Sequence, residues 1–113
     1  MQRTLIIARI TPGSQHHVAD IFARSDASSM PHEIGVSQRA LYAFRGLYAH
    51  VIDFDRDPAE AMSVAQSLPA FRAISDDLRG HITAYDPTTW TSPRDAMAEC
   101  FYSWSAVATA DRR

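Results

Sequence analysis

The stretch EIGVSQRALYAFRGLYAHVIDF, residues 33–54, decides the fold. Arg45-Gly46 sits between two apolar-rich runs and reads as a two-residue hairpin turn. The turn sets Phe44 opposite Leu47. Counting back from it places Leu41 opposite His50 and Arg39 opposite Ile52. Side chains alternate along a strand with period two, so Leu41, His50, Arg39 and Ile52 share one side of the sheet. Arg39 and His50 are then diagonal neighbours, roughly 7–8 Å apart and within reach of long side chains. A cation and a titratable imidazole on an otherwise apolar face suit an oxygen-rich, acidic small molecule.

The flanking sequence supplies the other elements. Residues 3–11 read as a strand centred on Leu5-Ile6-Ile7 and ended by Pro12-Gly13. Ser14 caps a helix running to about Arg24, with Val18, Ile21 and Phe22 as its apolar stripe. Residues 26–31 read as a polar connection in which Pro31 bars helix continuation, so the second strand is expected over 33–44 and the third over 47–54. Asp57-Pro58-Ala59-Glu60 is a helix start: an acidic cap, proline at the first helical position, glutamate three residues after the cap. Pro69 divides that helix from a second one, striped by Phe71, Ile74 and Leu78 and ended by Gly80. Residues 81–85 are ambiguous, and 86–93 form a loop stiffened by two prolines and anchored by Trp90. The alternating, aromatic stretch 95–105 reads as the last strand, and 106–113 as a frayed tail. The predicted class is α+β: one ferredoxin-like βαββαβ domain over 1–105, a four-stranded antiparallel sheet with helices on one face.

Strand one is apolar on both faces, with Leu5 and Ile7 on one and Ile6 and Ile10 on the other. The hairpin strands repeat this, so helices on one face leave a second apolar face. The expected cover is another copy of the same sheet in a two-fold homodimer, a dimeric α/β barrel.

The totals restrict function. At 113 residues, 46% apolar and 21% charged, this is ordinary globular composition. A net charge of −2 without a basic stripe gives no nucleic-acid surface. No run reaches transmembrane length. The one cysteine, Cys100, excludes an internal disulfide, fits a cytoplasmic location and reads as a buried small apolar side chain. His16 and His17 are adjacent on a helix, His32 and His81 are scattered, and no spacing completes a metal set. The four glycines form no phosphate loop, and no serine sits in a nucleophile elbow.

Glu33-Ile34-Gly35-Val36, Arg39 and Leu47-Tyr48-Ala49-His50-Val51-Ile52 resemble the tetracenomycin-type aromatic polyketide cyclases. So do Pro69-Ala70-Phe71, Tyr85-Asp86-Pro87, Trp90, Ser92-Pro93, Asp95-Ala96-Met97-Ala98 and Phe101-Tyr102-Ser103-Trp104, in order, over about residues 3–105. The resemblance implies a homodimer in a bacterial pathway to antibiotics or spore pigments. It implies closure of a later ring on a partly cyclised poly-β-ketone without metal or organic cofactor. It also implies a site built from a histidine-aspartate pair, an arginine and a histidine. The aspartate matches Asp26, the arginine Arg39 and the second histidine His50, while Ser25 replaces the first histidine.

That chemistry is an intramolecular aldol condensation followed by loss of water. A carbon between two ketones is already acidic, so the larger task is choosing which carbon meets which carbonyl, and a shaped pocket does much of that by positioning. His50 is the expected base, Arg39 the expected enolate stabiliser, and Asp26 the group that orients or charge-balances either. Tyr48, Ile52, Leu41 and Trp104 are the expected pocket wall. Two other functions fit the same sequence: a cofactor-independent monooxygenase of an aromatic polyketide, and a non-catalytic chaperone that prevents wrong closures. The expected partners are the polyketide intermediate and other polyketide synthase components.

Overall fold

A computed structural model describes residues 2–91 and 93–106. Its strands are β1 (Gln2–Ile10), β2 (Val36–Phe44), β3 (Leu47–Phe54) and β4 (Ile82–Thr83). Its helices are α1 (Gln15–Asp26), α2 (Met30–Ile34), α3 (Pro58–Ser67) and α4 (Pro69–Leu78), with a 3-10 turn at Pro93–Ala96. The strands form one antiparallel sheet in the order β2-β3-β1-β4. This is the ferredoxin-like arrangement expected from the sequence.

The hairpin keeps the register read from its turn: Phe44 pairs with Leu47, Leu41 with His50 and Arg39 with Ile52. Arg45 and Gly46 both lie in the left-handed region, at φ 48° and 83°, the backbone that lets a two-residue turn follow the strands' twist. The Gly46 carbonyl also accepts from the Ile10 amide at 3.0 Å, tying the turn to β1. At the other end the register slips between Val36 and Gln38. Ser37 is the extra residue of this bulge, and its hydroxyl donates to the Asp53 carbonyl at 3.0 Å. The bulge is why Val36 and Arg39, three apart, both line the same cavity.

Four expectations change. Pro31 does not bar a helix but opens one, sitting in the first turn of α2, where its missing N–H has no intrahelical partner to lose. Gly35 ends α2 at φ 99°, and any Cβ there would run into the side chains of Arg56 and Asp55. The second strand therefore begins at Val36, not at residue 33.

The fourth strand is Ile82–Thr83, paired with Arg9 and Ile10, and the stretch 95–105 is not a strand. After the 3-10 turn, Met97 bridges Ile6 and the Ala98 amide donates to the Leu5 carbonyl at 2.7 Å. The chain then carries its side chains into solvent, with Phe101 92%, Tyr102 78% and Trp104 73% exposed. A period-two pattern makes a strand only where a neighbour continues the ladder, and beyond this one bridge to β1 no strand pairs with 99–105 among the described residues. Cys100 is exposed rather than buried. Residues 107–113 of the expected tail lie outside the described residues.

The helices cover one face. Met30 and Ile34 of α2, with Ala61, Met62 and Ala65 of α3, pack on Ile52 and Phe54, while Val18 of α1 packs on Ala8, Ile10 and Tyr48. The Asp57 carboxylate accepts from the Glu60 amide at 3.2 Å and caps α3 as expected. The opposite face carries Leu5, Ile7, Ala49 and Val51, half-buried by their neighbours, together with exposed Tyr42, Phe44 and Leu47. Arg3 and Asp53 form an ion pair there at 2.7 Å.

Candidate active site

A cavity of about 620 Å³ lies between the covered face of the sheet and the helices, within the size range of small-molecule sites. The sheet contributes Ile6, Ala8, Val36, Arg39, Tyr48, His50, Ile52 and Phe54. Phe22 and Ser25 of α1, Met62 of α3, Phe71 and Leu78 of α4 and Trp90 of the following loop complete much of the wall. Its lining is mostly apolar.

The polar groups form one connected chain. Arg39 Nε donates to Asp26 Oδ1 at 3.0 Å, and its Nη2 lies 3.0 Å from the same oxygen. Arg39 Nη1 meets His50 Nε2 at 3.2 Å, and His50 Nδ1 meets the Tyr48 hydroxyl at 3.2 Å. Phe22 holds this chain from above: its ring lies edge-on to His50 with centroids 5.1 Å apart, and the Arg39 guanidinium sits 4.9 Å from its centre. Local sequence explains the grouping. Phe22 and Asp26 are four apart on α1 and share a helix face. Tyr48 and His50 are two apart on β3 and share a sheet face.

Burial, with the Arg39 charge as a smaller cause, pushes His50 down to about 3. The imidazole is therefore neutral in ordinary buffers. Burial also pushes the Tyr48 phenol above its usual range, with Arg39 opposing this weakly. A guanidinium carries five N–H donors and no acceptor, so Arg39 has donors beyond those it gives Asp26 and His50.

Arg39, His50, Tyr48 and Ile52 thus meet at one cavity, and Asp26 reaches it through Arg39. His50 differs from its expected role: its Nε2 faces a guanidinium and its basicity is low, which suits an orienting group better than a base. Leu41 packs beside Tyr48 and Ala8 but is not part of the cavity wall. Trp104 stands in solvent on the segment that leaves the fold, away from the wall it was expected to build. Phe22, Phe71 and Leu78 were read only as helix stripes and Trp90 only as a loop anchor, and Met62 was not singled out. The four-residue spacing from Phe22 to Asp26 was the signal that links α1 to the site. Among the described residues, no group of three or more His, Cys, Asp or Glu is placed to hold a metal ion.

Comparison with known proteins is consistent with this geometry. Residues 2–105 match the family model for the polyketide synthesis cyclase. The chain is 46% identical to an uncharacterised protein of Streptomyces coelicolor, over 92% of this chain and 95% of that one. It is 40% identical to the polyketide synthase CurG of Streptomyces cyaneus, over 92% and 97%. It is 38% identical to the tetracenomycin F2 cyclase of Streptomyces glaucescens, over 92% and 94%. The solved structure of that cyclase, a type II polyketide cyclase, superposes with a TM-score of 0.86 over 94% of this chain and 99% of the other.

Proposed function

The chain belongs to the polyketide synthesis cyclase family, and on that premise we propose that it closes a later ring of an aromatic polyketide by intramolecular aldol condensation and dehydration. The observation that carries the reading is one apolar cavity of about 620 Å³ whose wall brings Arg39, His50 and Tyr48 into a single hydrogen-bonded chain. Such a chamber holds a flat, partly cyclised chain in one folded conformer, and positioning of this kind lowers the barrier by several kcal/mol. The enol form of a β-diketone already carries the nucleophilic carbon. Arg39 stabilises its oxygen as the O–H proton departs. The enol proton ends on the attacked oxygen, so the addition consumes none, and the new hydroxyl then leaves as water together with a hydrogen of the carbon between the two ketones, forming the ring double bond. His50 holds Arg39 and Tyr48 in place, and Asp26 balances the guanidinium's charge.

The open sheet face packs on a second copy about a two-fold axis. In support, Leu5, Ile7 and Val51 lie beside Tyr42 at 62% and Phe44 at 66% exposure, and a monomer rarely leaves so continuous an apolar patch wet. No helix among the described residues is long and apolar enough to cross a membrane. The free Cys100 fits a reducing cytoplasm. The polyketide arrives from other polyketide synthase components.

The test is conversion of a partly cyclised aromatic poly-β-ketone, followed by mass spectrometry and an oxygen electrode. The expected product is lighter by one water, forms faster than without protein, and takes up no dioxygen. Stoichiometric oxygen uptake would replace the cyclase reading with an oxygenase one.

A further inference from the structure

The buried polar chain fixes where its protons sit. A guanidinium only donates, so the 3.2 Å contact between Arg39 Nη1 and His50 Nε2 needs a lone pair on Nε2. A neutral imidazole with a bare Nε2 carries its hydrogen on Nδ1. That hydrogen points at the Tyr48 oxygen, 3.2 Å away, and the phenol accepts it. Tyr48 therefore keeps its own O–H for another acceptor. Among the described residues the phenol has no second partner, and Tyr48 lines the cavity.

Resting on the cyclase reading above, we infer that Tyr48 is a further catalytic residue whose O–H donates a hydrogen bond to the carbonyl oxygen that ring closure converts to an alkoxide. His50 is a positioning residue: its Nδ1–H fixes the phenol's orientation, and its Nε2 fixes that of Arg39. No bond to the protein forms, and the phenol keeps its proton throughout. The carbon–carbon bond forms as the carbonyl π-bond breaks, and the enol proton ends on the new hydroxyl. Tyr48 and His50 are both buried, and in such low-dielectric surroundings an aimed donor is worth more than the same group in water. The burial that raises the phenol's basic form out of reach keeps it a donor at ordinary pH.

The division of labour has a consequence for selectivity. The charged donor Arg39 favours the oxygen that becomes enolate-like as its proton leaves. The neutral donor Tyr48 is left for the oxygen that gains charge only as the ring closes. Two unlike donors on one wall thus tell the enolate from the electrophile and choose which carbonyl is attacked.

Tyr48→Phe deletes one oxygen and keeps the ring. With the same poly-β-ketone, kcat is expected to fall roughly 10- to 100-fold while KM changes little, and products closed at the wrong carbon should increase. His50→Asn, whose amide donates from the Nδ1 position, should keep more activity than His50→Leu. Nitrogen-15 NMR of the wild type should show a protonated Nδ1 and a bare Nε2 on His50 over roughly pH 5 to 8. An active wild type matched by an equally active Tyr48→Phe overturns the donor and leaves the cyclase reading standing. The opposite tautomer overturns the inference even if the variant fails to fold. A wild type inert toward the substrate overturns the cyclase reading, and the inference falls with it.

Discussion

The two faces of the sheet come from the same strands and similar residues, yet they treat polar groups in opposite ways. On the covered face a guanidinium, an imidazole and a phenol line one cavity with Phe22, Ile52 and Phe54 and are linked by contacts of 3.2 Å. On the open face the main polar pair, Arg3 with Asp53, stands at the edge of an apolar surface whose largest residues, Tyr42 and Phe44, are exposed. The lesson is one of cost. Buried polar groups must be hydrogen-bonded to be tolerated, so a linked polar chain that keeps one donor for the cavity marks the site. Apolar groups left in water carry a cost that the proposed second copy of the sheet would remove.

The largest effect expected from breaking this contrast is catalytic. Arg39→Ala on the covered face should lower ring closure by about 100-fold or more; a rate within roughly twofold of wild type would take Arg39 out of the mechanism. Next comes stability, tested on adjacent residues that face opposite ways. Ile52→Ala removes a buried side chain and should cost roughly 2–4 kcal/mol in urea unfolding. Val51→Ala on the open face should cost less than about 1 kcal/mol at dilutions where copies separate. Equal costs would mean that the faces are equally packed within one chain.

A third prediction concerns pH. The unfolded chain protonates His50 near its ordinary 6.5, whereas the folded chain resists until about 3. The unfolded state therefore binds more protons between those values. The stability held above about 6.5 is lost as pH falls toward 3, at up to about 1.4 kcal/mol per pH unit. A urea midpoint as high near pH 4 as near pH 7 would show an imidazole with access to water. The smallest effect on the chain itself belongs to Tyr42→Glu. It should change monomer stability by no more than about 0.5 kcal/mol while shifting the mass by light scattering from two copies to one. An unchanged mass would move the contact elsewhere.

What the sequence made legible was local. A two-residue turn fixes register, alternation fixes sides, and Asp57-Pro58 fixes a helix start, so Arg39, His50, Ile52 and Tyr48 could be placed on one face from the sequence alone. What it hid depended on distant partners. Residues 95–105 alternate as a strand does, but strand status needs a neighbour along the whole run, and beyond the Ile6–Met97 bridge none pairs with them among the described residues. Trp104 was lost with that strand. Pro31 was read as a stop because its use inside a first turn depends on Gly35 closing the helix four residues later. The basicity of His50 is set by its burial and, less, by the Arg39 charge, and that burial depends on helices distant in sequence.

The turn at Arg45-Gly46 is the tip of the hairpin, the kind of place where insertions usually pass unnoticed. Here they cannot. One added residue that slides the pairing by a single step would rotate Arg39 or His50 out of the chamber, because neighbouring strand positions look to opposite sides. The chemistry is therefore held in phase by a hinge that touches none of the reagents, and length polymorphism at that tip should read out as loss of product while the fold persists.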